Sequence, residues 1–230
     1  MQNPCIVFDL DDTLYLERDY VHSGFRAVSR WAAARLGVRG FAEEAWRLFE
    51  EGVRGSIFQV AFKNMDHEAD PQTIKQMVQV YRCHRPDIRL LPDATQCLAR
   101  IREKATLCMI TDGPLSSQRA KCDSLGLRDI FDWIVFTDEW GPQFYKPHPR
   151  SYRFVQERVR PRKCDRFVYV GDNPRKDFTA PLVLGWDTVR IRRPKGLHFC
   201  VESLPNALPN IECPDLCTLT DLMLGSGNGN

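Results

Sequence analysis

The stretch CIVFDLDDTLY, residues 5–15, sets an apolar run against an acidic cluster: Ile6, Val7 and Phe8 lead straight into Asp9, Asp11 and Asp12, with Thr13 behind them. Residues 4–9 read as a short buried strand, apolar and β-branched. The carboxylates therefore fall at the strand's carboxyl end, and like charges held that close repel one another. Their crowding makes sense if a divalent cation sits between them.

Working outward, residues from about 18 to 85 change to helical patterning. FRAVSRWAAARLG places Phe25, Val28, Ala32 and Leu36 on one face, with Gly37 as a stop. FAEEAWRLFEEGV repeats the pattern with Phe41, Ala45, Leu48 and Phe49, and PQTIKQMVQVYRCH opens with Pro71 in its first turn. Beyond Pro86 helices and strands alternate. Helices are expected near 93–104, 116–125 and 149–159, from about Pro174, and over 216–224. Strands are expected at TLCMIT (106–111), WIVFT (133–137), FVYVG (167–171) and DTVRI (187–191).

Short apolar strands between amphipathic helices indicate a parallel sheet covered on both faces. The expected fold is α/β, a Rossmann-like parallel sheet with a helical cap inserted after the first strand. Residues 1–15 and 90–224 would form the core and 16–89 the cap, with a disordered tail at 225–230. Hinges are expected near 14–18 and 86–92, where the insertion leaves and rejoins the core.

Composition excludes several classes. A formal charge of +2 gives no global pull toward nucleic acid or a membrane surface. No apolar stretch approaches the length of a membrane span, and no secretory signal is recognisable. Nine cysteines, an odd number without repeating spacing, fit reduced thiols in a cytoplasmic protein better than a disulfide framework. Cys213, Cys217, Cys200 and His198 lack the spacing of a structural zinc site.

Ligands bind at the carboxyl ends of parallel strands. The residues at these ends form a consistent set: Asp9 and Asp11 after the first strand, Thr111, Asp112 and Gly113 after the second, Lys146 beyond the third, Gly171 and Asp172 after the fourth, then Asp177. Carboxylates, a hydroxyl and an ammonium from four separate segments suit Mg2+ and a phosphate, since magnesium takes oxygen ligands through one or two carboxylates. Each residue also has an ordinary role open to it. Asp12 and Thr13 could cap the turn after the first strand, and Asp177 could face a helix dipole. The basic run RIRRPK, 190–195, reads as the exposed side of an edge strand.

The chain resembles the haloacid dehalogenase-like hydrolase superfamily, in its phosphatase branch with a cap after the first strand. The resemblance rests on DLDDT as DxDxT, on Thr111, on Lys146 and on GDNPRKD as the final acidic motif, in order over about residues 4–192. It implies that Asp9 attacks phosphorus and carries an aspartyl-phosphate, while Asp11 protonates the leaving oxygen and then takes a proton from water. It further implies that Asp9, the Asp11 carbonyl and Asp172 ligate magnesium. Thr111, Lys146 and backbone N–H groups near Asp112 and Gly113 would hold phosphoryl oxygens, and Asp177 would support the metal or orient Lys146. The carboxylate at Asp11 favours phosphate esters over carbon-bound halide. The expected activity is hydrolysis of a small phosphorylated metabolite, a sugar phosphate or nucleotide; a phosphomutase and a non-catalytic phosphate-binding domain are the alternatives. In the cap, Arg54, Lys63, Arg82 and Arg85 are candidates for gripping an anionic substrate.

Overall fold

In the computed structural model, which describes residues 3–225, six strands form one parallel sheet. They are β1 (Cys5–Phe8), β2 (Thr106–Thr111), β3 (Trp133–Phe136), β4 (Phe167–Gly171), β5 (Asp187–Ile191) and β6 (Ile211–Cys213), in the order β3-β2-β1-β4-β5-β6. The central strands β1, β2 and β4 are buried along almost their whole length because helices cover both faces, which is why they read as largely apolar runs. Alternation within β1 divides the core. Ile6 and Phe8 pack with α5 (Pro92–Ile101) and α9 (Leu216–Gly225), while Cys5 and Val7 face α7 (Arg150–Val159) and α8 (Thr179–Val183).

Between β1 and α5 the chain forms α1 (Glu17–Leu36), α2 (Phe41–Glu50), α3 (Ile57–Asn64) and α4 (Pro71–Cys83). These helices bury an apolar cluster of their own around Phe25, Phe41, Phe58, Phe62 and Met77. Local chemistry sets their ends. Asp12 Oδ1 accepts from the Glu17 N–H at 2.8 Å, so the expected cap role of Asp12 is exercised on the first turn of α1. The Thr13 hydroxyl takes no part and has no hydrogen-bond partner among the described residues. Gly37, at φ 71°, closes α1, and Asp70 caps α4 by accepting from the Thr73 N–H.

Three expectations need correcting. α3 and β6 were not legible: α3 is eight residues long with four of them buried, and β6 spans three residues. The helix expected from Pro174 is a turn, and α8 begins only at Thr179. The basic run is not an exposed edge. β6 pairs along the outer side of β5, and Arg190 is fully buried, donating to the carbonyls of Asp172, His198 and Val201 and pairing with Glu212 at 3.2 Å. Arg193, also buried, bonds the Thr13 carbonyl and Asp93. Beyond Gly225, the tail expected to be disordered lies outside the described residues.

Candidate active site

After β1 the chain runs to β2 and β3 on one side, then crosses back to place β4 on the other. That reversal opens a crevice at the carboxyl ends of β1 and β4. The register carries Asp9 into it: the Asp9 N–H bonds the Val170 carbonyl at 2.8 Å, and Asp172 follows Gly171 at the end of β4. Carboxylate oxygens of Asp9, Asp172 and Asp177 all lie within 4.8 Å of one another, and all three residues are buried. Gly171 makes this approach possible, since a Cβ there would meet Asp177 Oδ2 at 2.6 Å.

Lys146 joins the cluster from the loop after β3. Its fully buried ammonium donates to Asp9 Oδ1, to Asp177 Oδ1 at 2.8 Å and to the Tyr169 hydroxyl at 2.9 Å. Burial works against an ammonium, yet Asp177 and Asp9 together hold Lys146 protonated well above the ordinary lysine range. Asp177 also accepts from the Asn173 N–H at 2.8 Å. Burial would raise it, but the charges of Lys146 and Lys176 outweigh that and keep Asp177 below the usual carboxylate range. Its Oδ1 is thus taken by Lys146 and the Tyr169 hydroxyl, and its Oδ2 by the Asn173 backbone.

Asp9 and Asp172 fare differently. Burial pushes Asp9 up to about 6 despite Lys146. Burial, then the charges of Asp177 and Asp9, drive Asp172 far above the usual range, and among the described residues no hydrogen bond lowers it. Two buried carboxylates that resist ionisation, beside a third already paired, form an all-oxygen set short of positive charge. That donor set fits a magnesium ion, with Asp9 and Asp172 as the side chains that would hold it.

Asp11 turns to the opposite wall. Its carboxylate accepts from the Tyr15 hydroxyl, from Lys121 Nζ at 2.6 Å and from Gln118 Nε2 at 3.3 Å. Gln118 and Lys121 both come from α6 (Leu115–Ser124), one turn apart. Burial alone would raise Asp11, but the charge and hydrogen bond of Lys121, with Tyr15, hold it below its ordinary value.

Asp9, Asp11, Asp112, Gly113 and Asp172 line one cavity of about 320 Å³, together with Glu17, Tyr81, Arg82, Lys121, Lys176 and His198. Lys146 and Asp177 lie behind Asp9 rather than on the cavity wall. Thr111 is also off the wall, its hydroxyl donating to Gln118 Oε1 at 3.1 Å. Asp112 Oδ1 accepts from the Thr137 hydroxyl at 2.7 Å, and Gly113, at φ 117°, leaves room for Gln118. A second cavity of about 330 Å³ shares Glu17, Tyr81 and Arg82 with the first. It is faced by Phe25, Phe49, Phe58 and Arg54 from the helical insertion. Of the basic candidates, Arg82 and Arg54 therefore reach these cavities, whereas Lys63 lines a separate one and Arg85 is exposed.

Sequence reasoning passed over Gln118, Lys121, Glu17 and Lys176, and met His198 only as a rejected zinc ligand. One signal was available: the buried stripe of α6 consists of Ser117, Gln118, Lys121 and Cys122, an inward face that is mostly polar.

Residues 4–185 match the haloacid dehalogenase-like hydrolase family. The chain belongs to this family. Among curated relatives of this haloacid dehalogenase-like hydrolase, the glyceraldehyde 3-phosphate phosphatase of Methanocaldococcus jannaschii is 31% identical over 201 residues, covering 83% of this chain and 85% of the relative. A pyrimidine 5'-nucleotidase of Escherichia coli is 31% identical over 98 residues, 43% of each chain. The fold is shared with solved structures. The HAD-hydrolase YfnB from Bacillus subtilis, crystallised with magnesium, superposes with a TM-score of 0.70 at 19% identity, over 97% of this chain and 100% of that one. L-2-haloacid dehalogenase from Xanthobacter autotrophicus gives 0.64 at 21% identity, over 97% and 99%. Among the described residues no helix is long and apolar enough to cross a membrane.

Proposed function

We propose that this hydrolase is a magnesium-dependent phosphatase that cleaves a small phosphomonoester, a sugar phosphate or nucleotide, through an aspartyl-phosphate on Asp9. The observation that carries the reading is the buried group of Asp9, Asp172 and Asp177 with Lys146 as its shared counter-ion. A protein holds such a group out of water at considerable cost unless a cation and an anionic substrate complete it. The relatives named as phosphatases of small metabolites point the same way.

In this mechanism the free oxygen of Asp9 attacks phosphorus, and the bond from phosphorus to the leaving oxygen breaks. Lys146, fixed by Asp177 and Tyr169, keeps Asp9 oriented from behind, and backbone N–H groups near Asp112 and Gly113 hold the phosphoryl oxygens. Asp11, ionised beside Lys121 in the free protein, takes up a proton as substrate binds and gives it to the leaving oxygen. Water then attacks phosphorus, Asp11 takes a proton back, and Asp9 is released as a carboxylate. Asp9, Asp172 and the Asp11 carbonyl would hold magnesium, which would supply positive charge to keep Asp9 and Asp172 ionised and to polarise the phosphoryl group. Thr111 contributes through Gln118, to which its hydroxyl is bonded. The helices between residues 16 and 89 act as a cap, and the cavity faced by Phe25, Phe49 and Phe58 gives the leaving group room beyond the phosphate.

The test is release of inorganic phosphate from 4-nitrophenyl phosphate, followed by a panel of sugar phosphates and nucleotides, with magnesium and with EDTA. Hydrolysis that requires magnesium and disappears in Asp9→Asn supports the reading. Hydrolysis that survives Asp9→Asn removes the covalent mechanism. Isomerisation of a sugar phosphate without free phosphate turns the assignment to a mutase.

A further inference from the structure

We propose that Lys121 is a positioning residue that holds the Asp11 carboxylate against the cavity for the second half of the reaction, in which water releases phosphate from Asp9. The inference rests on the roles of Asp9 and Asp11 in the proposed phosphatase reaction.

Lys121 is 3% exposed, and Asp11 is the carboxylate it pairs with, at 2.6 Å. The face of the Tyr20 ring lies 4.3 Å from its ammonium. Burying an ion pair is costly, and apolar side chains in place of both partners would commonly serve stability as well or better. Geometry rather than stability is what the pair provides. A carboxylate has about four lone-pair sites. At Asp11 three are taken: Tyr15 and Lys121 donate to Oδ1, and Gln118 donates to Oδ2. One site remains free on a carboxylate that lines the cavity. An acid surrounded only by donors is arranged as a base, and the hydrolytic half of the cycle needs a base.

In that half the water oxygen bonds to phosphorus, and the bond from phosphorus to the Asp9 oxygen breaks with its electron pair returning to Asp9. The water proton passes to the free site on Asp11. Gln118 ties this wall to the phosphate-facing loop, since Nε2 also donates to the Asp112 carbonyl at 2.7 Å. Lys121 and Gln118, three residues apart on α6, thus set Asp11 relative to the backbone beside the phosphoryl group.

The experiment compares wild type, Lys121→Met and Lys121→Arg on 4-nitrophenyl phosphate, whose leaving group needs little protonation. Lys121→Met is expected to lower kcat about 100-fold, the lower range for a positioned acid or base. KM should fall with it, so that kcat/KM changes by less than about fivefold. Mixing enzyme and substrate rapidly should release a burst of nitrophenolate approaching one equivalent per site, with phosphorylated protein visible by intact mass. Lys121→Arg should recover part of kcat. Equal losses in kcat and kcat/KM without phosphorylated protein would overturn the proposal, as would wild-type rates. Lys121→Gln, which keeps a donor without the charge, carries the same expectations should the methionine variant not fold. Asp9→Asn separates the two readings. A burst that persists in Asp9→Asn refutes the covalent function, whereas turnover abolished by Asp9→Asn together with no burst and no phosphorylated protein in Lys121→Met refutes the role of Lys121.

Discussion

The helical insertion and the floor of the crevice are both densely buried, yet opposite chemistry holds them. In the insertion Phe25, Phe41, Phe58, Phe62 and Met77 pack together, Phe41 meeting Phe58 edge to face, and ion pairs such as Arg47 with Glu44 lie on the outer surface. On the floor Lys146, Lys121 and Arg190 are buried with carboxylates and carbonyls as partners. Apolar packing is non-directional and rewards the right volume. Buried charges contribute little net stability but fix direction, because each misplaced partner leaves an unpaired charge. The insertion is built to be held together, and the floor is built to aim.

The sharpest way to break that contrast is at Lys146. Lys146→Met should lower kcat about 100- to 1000-fold, because Asp9 and Asp177 lose their common counter-ion. Steady-state kinetics at saturating magnesium checks this; a loss under tenfold would place Lys146 with the packing residues. Phe41→Ala removes a fully buried ring from the insertion and should cost about 3–5 kcal/mol of stability, with kcat per folded molecule retained. Urea unfolding alongside kinetics measures both, and a large fall in kcat would mean that insertion packing also aims the site.

A smaller effect sharpens the electrostatic side. Burial pushes Asp9 and Asp12 up to about 6 and Glu17 up to about 7, so the folded metal-free chain keeps protons that the unfolded chain releases near pH 4. The folded state then binds more protons across this interval, and stability falls as pH rises from about 4 to about 7. Asp11 and Asp177, held below the usual range, add stability that is constant across the same interval. Tm of the EDTA-treated protein should therefore drop by several degrees over that span. Magnesium should raise Tm more at pH 7.5 than at pH 5. A Tm that climbs with pH in EDTA would contradict the crowding of carboxylates. The smallest effect belongs to the exposed rim: Glu51→Gln breaks a surface pair with Arg47 and should leave Tm within error.

Much of the fold was legible because buried parallel strands leave long apolar runs and because helix stops such as Gly37 and starts such as Pro71 are local signals. The motif residues Asp9, Asp172, Asp177 and Lys146 were legible because each comes after a strand. Arg190 was misread, since a basic residue in a strand looks exposed until a three-residue neighbour, β6, covers it. Lys121 and Gln118 gave almost no signal. Their inward orientation is a matter of how α6 sits on the sheet, and the residue they meet lies over a hundred positions away.

By itself the sequence determined the alternation of strands and helices, the inserted helices and the acids that end the strands, because periodicity and turn chemistry are short-range properties. Only the tertiary structure decided which charges face one another: that Lys146 stands between Asp9 and Asp177, that Lys121 holds Asp11, and that Arg190 is buried. The reason is physical. The energy of a charge depends on its partners and its distance from water, and both are fixed by segments that meet only once the sheet is assembled.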